Sequence, residues 1–490
     1  MSAGTAPAGA VARLDQSSDS RAESWSRGGS EPRYVDGLTR LLTSYRAIPV
    51  DQRVRLAKRT SNLFRARRRT DGPGLDVSGL TGVLAVDPVA RTADVGGMCT
   101  YEDLVAATLP HGLAPLVVPQ LKTITVGGAA TGGGIESTAF RSGVVYDDIV
   151  VMDILTGSGE VLTAAPDGPH ADLFHGFANS YGSLGYATRL RVRLEPVQPY
   201  VALRHLRFHD VTDLQAAIAQ IGERREHSGE PVDYLDGVVF TADEQYLTLG
   251  RLTGDPGPTS DYRGRQIYYR SIQERSTDRL TIHDYLWRWD TDWFWCSRAF
   301  GAQQPLIRRM WPPALKRSSV YWKLVALDRR FGIADGLERL HGRPPLERVV
   351  QDVEVPVERT AEFLTWFLGN VPIEPIWVCP LRIPRRRDAA PGSTDPTWPL
   401  HPFAPERTYV NVGFWSVVPK RPGAPEGATN RRIEALVGDL GGHKALYSDA
   451  FYSREEFAAK YGGATYAALK SMYDPTHRLI DLYDKAVRRQ

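Results

Sequence analysis

Cysteine is scarce: three residues in 490, at Cys99, Cys296 and Cys379. They lie far apart, form no CxxC pair and lack zinc-ligand spacing, so neither a disulfide framework nor a metal site is expected. Isolated thiols fit a reducing compartment. Excess charge is also small, with 60 Lys and Arg against 57 Asp and Glu for a formal net charge of +3. That balance speaks against nucleic-acid binding by overall charge. No apolar run reaches the ~18 residues of a membrane-crossing helix. The opening MSAGTAPAGAVARLDQSSDSRAES lacks the apolar core of a secretory signal, and a cytoplasmic location is expected. Neither a GxGxxG motif between strand and helix nor GxxxxGK[ST] occurs, which excludes the Rossmann and P-loop phosphate sites.

What is present suffices for two large domains: 42% of residues are hydrophobic, ample for buried cores. Residues 1–33, rich in Ala, Gly, Ser and charge, read as a disordered tail. Apolar positions from Tyr34 to Ile48 fall at helical spacing, and Val54–Leu56 reads as a short strand. Strands then alternate with a helix at Tyr101–Leu109, capped by Thr100 and ended near Gly112. The strands IVVMDILT, GEVLTA and ATRLRVRLEP complete a first domain over 34–197. The remainder, 198–490, carries further strands (LRHLRFH, YLDGVVFT, QYLTLGRL, ERVVQDVEVPV, IEPIWVCPLRIP, TYVNVGFWSVV) and helices, and its C-terminal end is able to return to the first domain. The Pro-rich RRRDAAPGSTDPTWPLHPFAP reads as a surface loop. The fold class is α+β.

The most informative segment is TVGGAATGGGIESTAFRSGVVYDDIV, with Gly127, Gly128, Gly132, Gly133 and Gly134 within eight residues. Glycines let a backbone approach a ligand, and successive N–H groups can cradle a pyrophosphate. Taken with PGLDVSGL, the VGG strand, YEDLVAATLPHGL, LTGSGEVLTA and DLFHGFANSYGSLGYATRLRVRLEP, the order over residues 54–197 resembles the FAD-binding domain of the vanillyl-alcohol-oxidase/PCMH flavoprotein superfamily. VVQDVEVP, PIWVCP, YVNVGFW and LYSDAFYSREEF extend the resemblance to the delta-24 sterol reductase group, whose actinobacterial relatives reduce a 10-methylene fatty acyl chain to a 10-methyl one. An Arg/Ala/Gly-rich composition is typical of a high-GC bacterium and favours the fatty-acyl substrate.

The resemblance implies a PCMH-type, two-subdomain FAD-binding domain followed by a substrate (cap) domain. It places Thr60, Ser61, Asn62 and Leu63 in a first phosphate loop, and the five glycines with Ser137, Thr138, Gly143 and Val145 along phosphate and flavin. Gly185, within GSLGYAT, closes on the adenine end. The first loop has no His to tether the flavin, so FAD is expected to be non-covalent, with NADPH as reductant. An isolated C=C bond offers no carbonyl to hold negative charge, so reduction calls for an acid that protonates the alkene and a hydride from flavin N5. Such an acid needs an apolar setting that keeps its proton on. Candidates are Glu136, Asp449, Tyr409 and Tyr447, with Glu354 in reserve. Asn411 shares the face of Tyr409. His443 reads as a turn residue and Cys379 as a packed thiol.

Six of the 11 Trp fall between Tyr285 and Leu324. Trp287, Trp293 and Trp295 with Arg308 and Arg309 have the composition of a membrane-surface patch; a helical subdomain with inward-facing Trp is the alternative. The expected partners are a methylene-acyl phospholipid, a membrane surface and a methyltransferase that makes the methylene substrate, with no nucleic acid. Competing readings are an oxidase or dehydrogenase of the same superfamily and a flavin-free lipid-binding protein.

Overall fold

The computed structural model describes residues 31–58, 64–65, 73–262, 266–290, 344–385 and 396–490, with 306, 310, 312, 315–321 and 323. Residues 1–30 of the tail expected at 1–33, Thr60–Leu63, Cys296, and Trp293, Trp295, Arg308 and Arg309 lie outside them, and residues 31–33 are not tail but the first turn of a helix.

Helix α1, Glu31–Ala47, opens the first domain. Its antiparallel sheet comprises β1 (Val83–Asp87), β2 (Thr92–Gly96), β3 (Leu113–Pro115), β4 (Ile149–Leu155), β5 (Val161–Ala164) and β6 (Tyr186–Pro196), ordered β1-β2-β6-β4-β5 with β3 also on β6. β4 is apolar over nearly its whole length because both faces are covered. Helix α2, Tyr101–Thr108, starts where the Thr100 side chain accepts from the Asp103 N–H. Val54–Leu56 is no strand of its own. Its backbone is divided between partners, with the Val54 N–H on Arg478 O and a single bridge from Leu56 to Leu75.

The second sheet has eight strands in the order β12-β7-β11-β10-β14-β15-β13-β16. These are β7 (Tyr200–Phe208), β10 (Tyr234–Thr241), β11 (Glu244–Thr253), β12 (Thr277–Thr281), β13 (Leu346–Pro356), β14 (Ile376–Arg382), β15 (Thr408–Pro419) and β16 (His443–Lys444); the short β8 (Glu226–His227) and β9 (Glu230–Pro231) pair only with each other. Period-two alternation decides its faces. Val349, Val353 and Val355 of β13 and Val410, Val412 and Phe414 of β15 pack with residues of three helices, Val211–Arg224, Thr360–Asn370 and Ala428–Asp439. The intervening residues, Asp352 and Glu354 on β13 and Asn411, Gly413 and Trp415 on β15, face the other way, and register sets Asp352 opposite Gly413 and Glu354 opposite Asn411.

The chain end crosses back to the first domain. Lys470 donates to Ser183 O, Lys485 to Tyr181 O and Gly182 O, and Arg478 to Ile48 O and Pro49 O. The Pro-rich segment is not a surface loop in its described part: Trp398, Leu400, His401 and Phe403 are buried, the Trp398 indole donating to Asp147. Its apolar and aromatic residues outweigh its prolines as a signal. Among the described residues, no helix is long and apolar enough to cross a membrane.

Phe367 is fully buried, with its ring centroid 4.5 Å from that of Phe414. Phe367→Ala is expected to lower the unfolding free energy by about 3–5 kcal/mol, read as a lower urea midpoint at unchanged slope.

Candidate active site

A cavity of about 900 Å³ lies where the two sheets approach each other, within the range of roughly 300–1,000 Å³ usual for small-molecule and cofactor sites. The first domain contributes Leu56, Val77, Gly97, the glycine segment, Tyr181 and Thr188; the second sheet contributes Asp352, Glu354, Trp377 and Trp415. His401 and Tyr447 complete that wall.

All five glycines of the segment line the cavity, but not as a loop of free N–H groups. Val126–Gly132 forms a short helix, capped by the Thr125 hydroxyl, which takes the Gly128 N–H. The Gly127 N–H is engaged by Gly97 O and the Gly133 N–H by Ala129 O. What glycine supplies here is bare surface and close approach. A Cβ at Gly127 would stand 2.5 Å from Gly97 O, one at Gly132 3.1 Å from the Tyr181 ring, and Gly133 has φ +79°.

Other expected cofactor residues sit behind the wall. Ser137 is fully buried and bonded to Glu136 and Tyr285. Thr138 and Val145 are buried, and Gly143 ends a short helix against Asp147, where a Cβ would collide. Gly185 packs on Ile154 and Leu155 of β4. These five shape the support and not the lining. Tyr186, Ala187 and Thr188 from the same GSLGYAT stretch do line the cavity. So do Lys58, Phe64 and Arg65, which flank the first loop.

The expected acids separate in the same way. Glu136 is clamped by Arg288, whose guanidinium stands 3.0 and 3.2 Å from its two oxygens and 2.9 Å from Asp236 of β10. The Ser137 N–H and hydroxyl also donate to Glu136. The Trp289 and Trp377 indoles donate to Asp236. Burial pushes the Glu136 carboxyl up against the pull of Arg288, but its oxygens are taken by donors and it does not line the cavity. Asp449 is also off the cavity, facing Arg489 at 3.5 Å. Tyr409 is a core residue whose hydroxyl accepts from the Ala404 N–H. Tyr447 does line the cavity; its hydroxyl accepts from the Trp415 indole at 2.6 Å, and burial pushes its pKa well above the ordinary tyrosine value.

Two carboxyls on the cavity wall contrast with Glu136. Burial pushes Asp352 up to about 7, with Asn411 and Tyr447 beside it, and lifts Glu354 well above the usual carboxylate range. Sequence reasoning passed over Asp352, although QDVEV alternates carboxyls with core valines. It also missed Trp377, Trp415 and His401. His443 is a strand residue opposite Glu354, not a turn, and burial depresses its pKa to about 4. Cys379 is buried, and burial raises its thiol well above the ordinary value. Trp287 and Trp289 are core residues, 4% and 2% exposed, so Trp287 offers no membrane contact.

The residues fit a flavin dinucleotide. The volume suffices, the glycine helix presents a wall without side chains, and Lys58, Arg65 and Lys485 bring cations suited to a pyrophosphate. The buried Gln120 amide nitrogen, without a hydrogen-bond partner among the described residues, adds a donor at the wall.

Arg288→Met leaves two buried carboxyls without their cation and is expected to destabilise the protein by about 3–5 kcal/mol at neutral pH. Adding Glu136→Gln should recover part of that loss in a double-mutant cycle followed by urea unfolding.

Comparisons agree with this geometry. Residues 50–165 match the FAD binding domain family. Delta(24)-sterol reductase of Rattus norvegicus is 25% identical over 426 residues, covering 83% of this chain and 76% of that protein. The human enzyme of the same name is 24% identical over 424 residues, with the same shares covered. Cytokinin dehydrogenase 10 of Oryza sativa subsp. japonica is 35% identical over 162 residues, 32% of this chain and 28% of that protein. This chain therefore carries a PCMH-type FAD-binding domain and, along most of its length, is similar to Delta(24)-sterol reductases.

Proposed function

We propose that this protein is an FAD-dependent, NADPH-driven reductase of an isolated, branched C=C bond in a lipid, with a 10-methylene fatty acyl phospholipid as substrate. The observation that carries the reading is the composition of the cavity wall. It joins a dinucleotide-sized, glycine-faced cleft to buried carboxyls and to the rings of Trp377, Trp415 and Tyr447. Bound FAD would supply the two-electron hydride chemistry, held by the glycine helix and by Lys58, Arg65 and Lys485. The chain's own residues supply the rest. Carboxyls that retain a proton at neutral pH can donate to an alkene, and aromatic faces favour the electron-deficient carbon that results. The dry wall keeps water from that carbon.

Similarity to Delta(24)-sterol reductases supports reduction of a lipid alkene and equally favours a second substrate, a sterol side-chain double bond. Both are branched alkenes that give a tertiary centre on protonation. Contact with an anionic membrane surface, on the cytoplasmic side and beside a methyltransferase that makes the methylene chain, belongs to the same proposal. Leu306, Met310 and Leu315 are exposed there.

The purified protein is expected to be yellow, to release its flavin on acid precipitation, and to be bleached by NADPH without oxygen. A methylene-acyl phospholipid should then restore the colour, with the saturated product found by mass spectrometry. Recovery with a desmosterol-like sterol alone would shift the substrate. Rapid reoxidation by air with an alcohol substrate, and none by alkenes, would overturn the reductase reading. In Gly132→Val the new side chain meets Tyr181 and the cavity; FAD affinity should fall tenfold or more, about 1.4 kcal/mol, measured by flavin fluorescence on titration of the apoprotein.

A further inference from the structure

Glu354 has no exposed surface, and neither of its carboxylate oxygens has a hydrogen-bond partner among the described residues. It nevertheless lines the cavity. An ionised carboxylate in such a place would be a buried charge with no hydrogen-bond donor among the described residues, so burial favours the protonated form. Lys444 draws the Glu354 carboxyl down without hydrogen-bonding to it: the ammonium is bonded to Ser448 and Asp449 O and lies 3.9 Å from Glu434, and burial outweighs its pull. Two residues earlier on β13, Asp352 faces the same cavity and is less deeply buried. At a strand rise of about 3.3–3.4 Å per residue their Cα atoms are roughly 7 Å apart, close enough for one water to join the carboxyls. Of the other acids considered, Tyr447 also lines the cavity and is the rival, and three are unsuited. Glu136 is clamped by Arg288, and Asp449 and Tyr409 lie off the cavity.

We propose that Glu354 is the proton donor to the substrate alkene and that Asp352 relays the replacing proton from the cavity. This rests on the reductase reading above. In the step, the Glu354 O–H bond breaks and the alkene π pair forms a C–H bond to the less substituted carbon. The branched carbon is left electron-deficient, and bound reduced flavin, the two-electron donor, would supply the hydride that completes it. The Glu354 carboxylate then regains a proton through Asp352, so substrate gains one proton and one hydride in all.

The test uses flavin-loaded protein and separates the half-reactions by stopped flow. In Glu354→Gln the ratio of alkene-driven reoxidation to NADPH-driven reduction should fall at least a hundredfold, the scale of general-acid catalysis. Asp352→Asn should fall less at the first turnover and more at steady state. A readout independent of turnover is infrared difference spectroscopy: wild-type protein at neutral pH should show carbonyl stretches of protonated carboxyls, and the wild-type minus Glu354→Gln difference should show the loss of one such component. If wild type turns over and Glu354→Gln keeps the ratio within threefold, or if Tyr447→Phe loses the alkene step instead, the assignment is overturned. If wild-type protein is reoxidised by neither branched alkene, the reductase reading itself falls, and the donor role with it.

Discussion

A buried guanidinium ties the two halves of this molecule together. Arg288 bonds both to Glu136, which follows directly on the glycine segment of the first domain, and to Asp236, on β10 of the second sheet. All three are almost fully buried. Charges in such a place are tolerated only when paired and hydrogen-bonded, and the Ser137 N–H and the Trp289 and Trp377 indoles complete the shell. The Trp377 indole that donates to Asp236 also lines the cavity. The pairing therefore joins the end of the glycine segment to the sheet that forms the facing wall of the cleft.

The same type of side chain takes opposite roles a few residues away. Glu136 is surrounded by donors and acts as structure. Glu354 is buried and Asp352 half-buried, neither is clamped by an arginine, and burial is the largest influence on their proton affinity, opposed in part by Lys444. Desolvation favours the neutral acid, whereas a neighbouring guanidinium favours the carboxylate. The lining of the cleft thus carries both cations and buried carboxyls within one volume. The C-terminal segment takes part in that lining, since Lys485 bonds to the Tyr181 and Gly182 carbonyls at the cavity rim.

Glycine has a related double role. Gly127 lets a helix sit against the Gly97 backbone, and Gly132 lets it approach Tyr181, while both leave the cavity side bare. Packing and binding demand the same missing Cβ, which is why the segment is dense in glycine without matching a phosphate-loop spacing. The expectation of a loop and the finding of a helix differ for this reason: short-range composition reports close approach, not the path of the backbone.

Much of the fold was legible from local pattern. Alternation in ERVVQDVEVPV and TYVNVGFWSVV, the Thr100 cap and the glycine-dense segment depend on neighbours in sequence, and local propensity and periodicity act at that range. The flavin domain followed from ordered motifs. The fate of individual polar side chains was not legible. Glu136, Asp449, Glu354 and Asp352 are all carboxyls beside apolar residues in the sequence. Only the tertiary structure sends Arg288 to the first and Arg489 to the second while leaving the last two on the cavity wall. Likewise, the Trp-rich composition did not tell that Trp287 and Trp289 pack in the core. The sequence determined which residues share a face, because side-chain direction repeats every two or 3.6 residues. The tertiary structure decided which face meets the cavity and which charge meets which, because a pKa or a hydrogen bond depends on atoms brought together from distant parts of the chain.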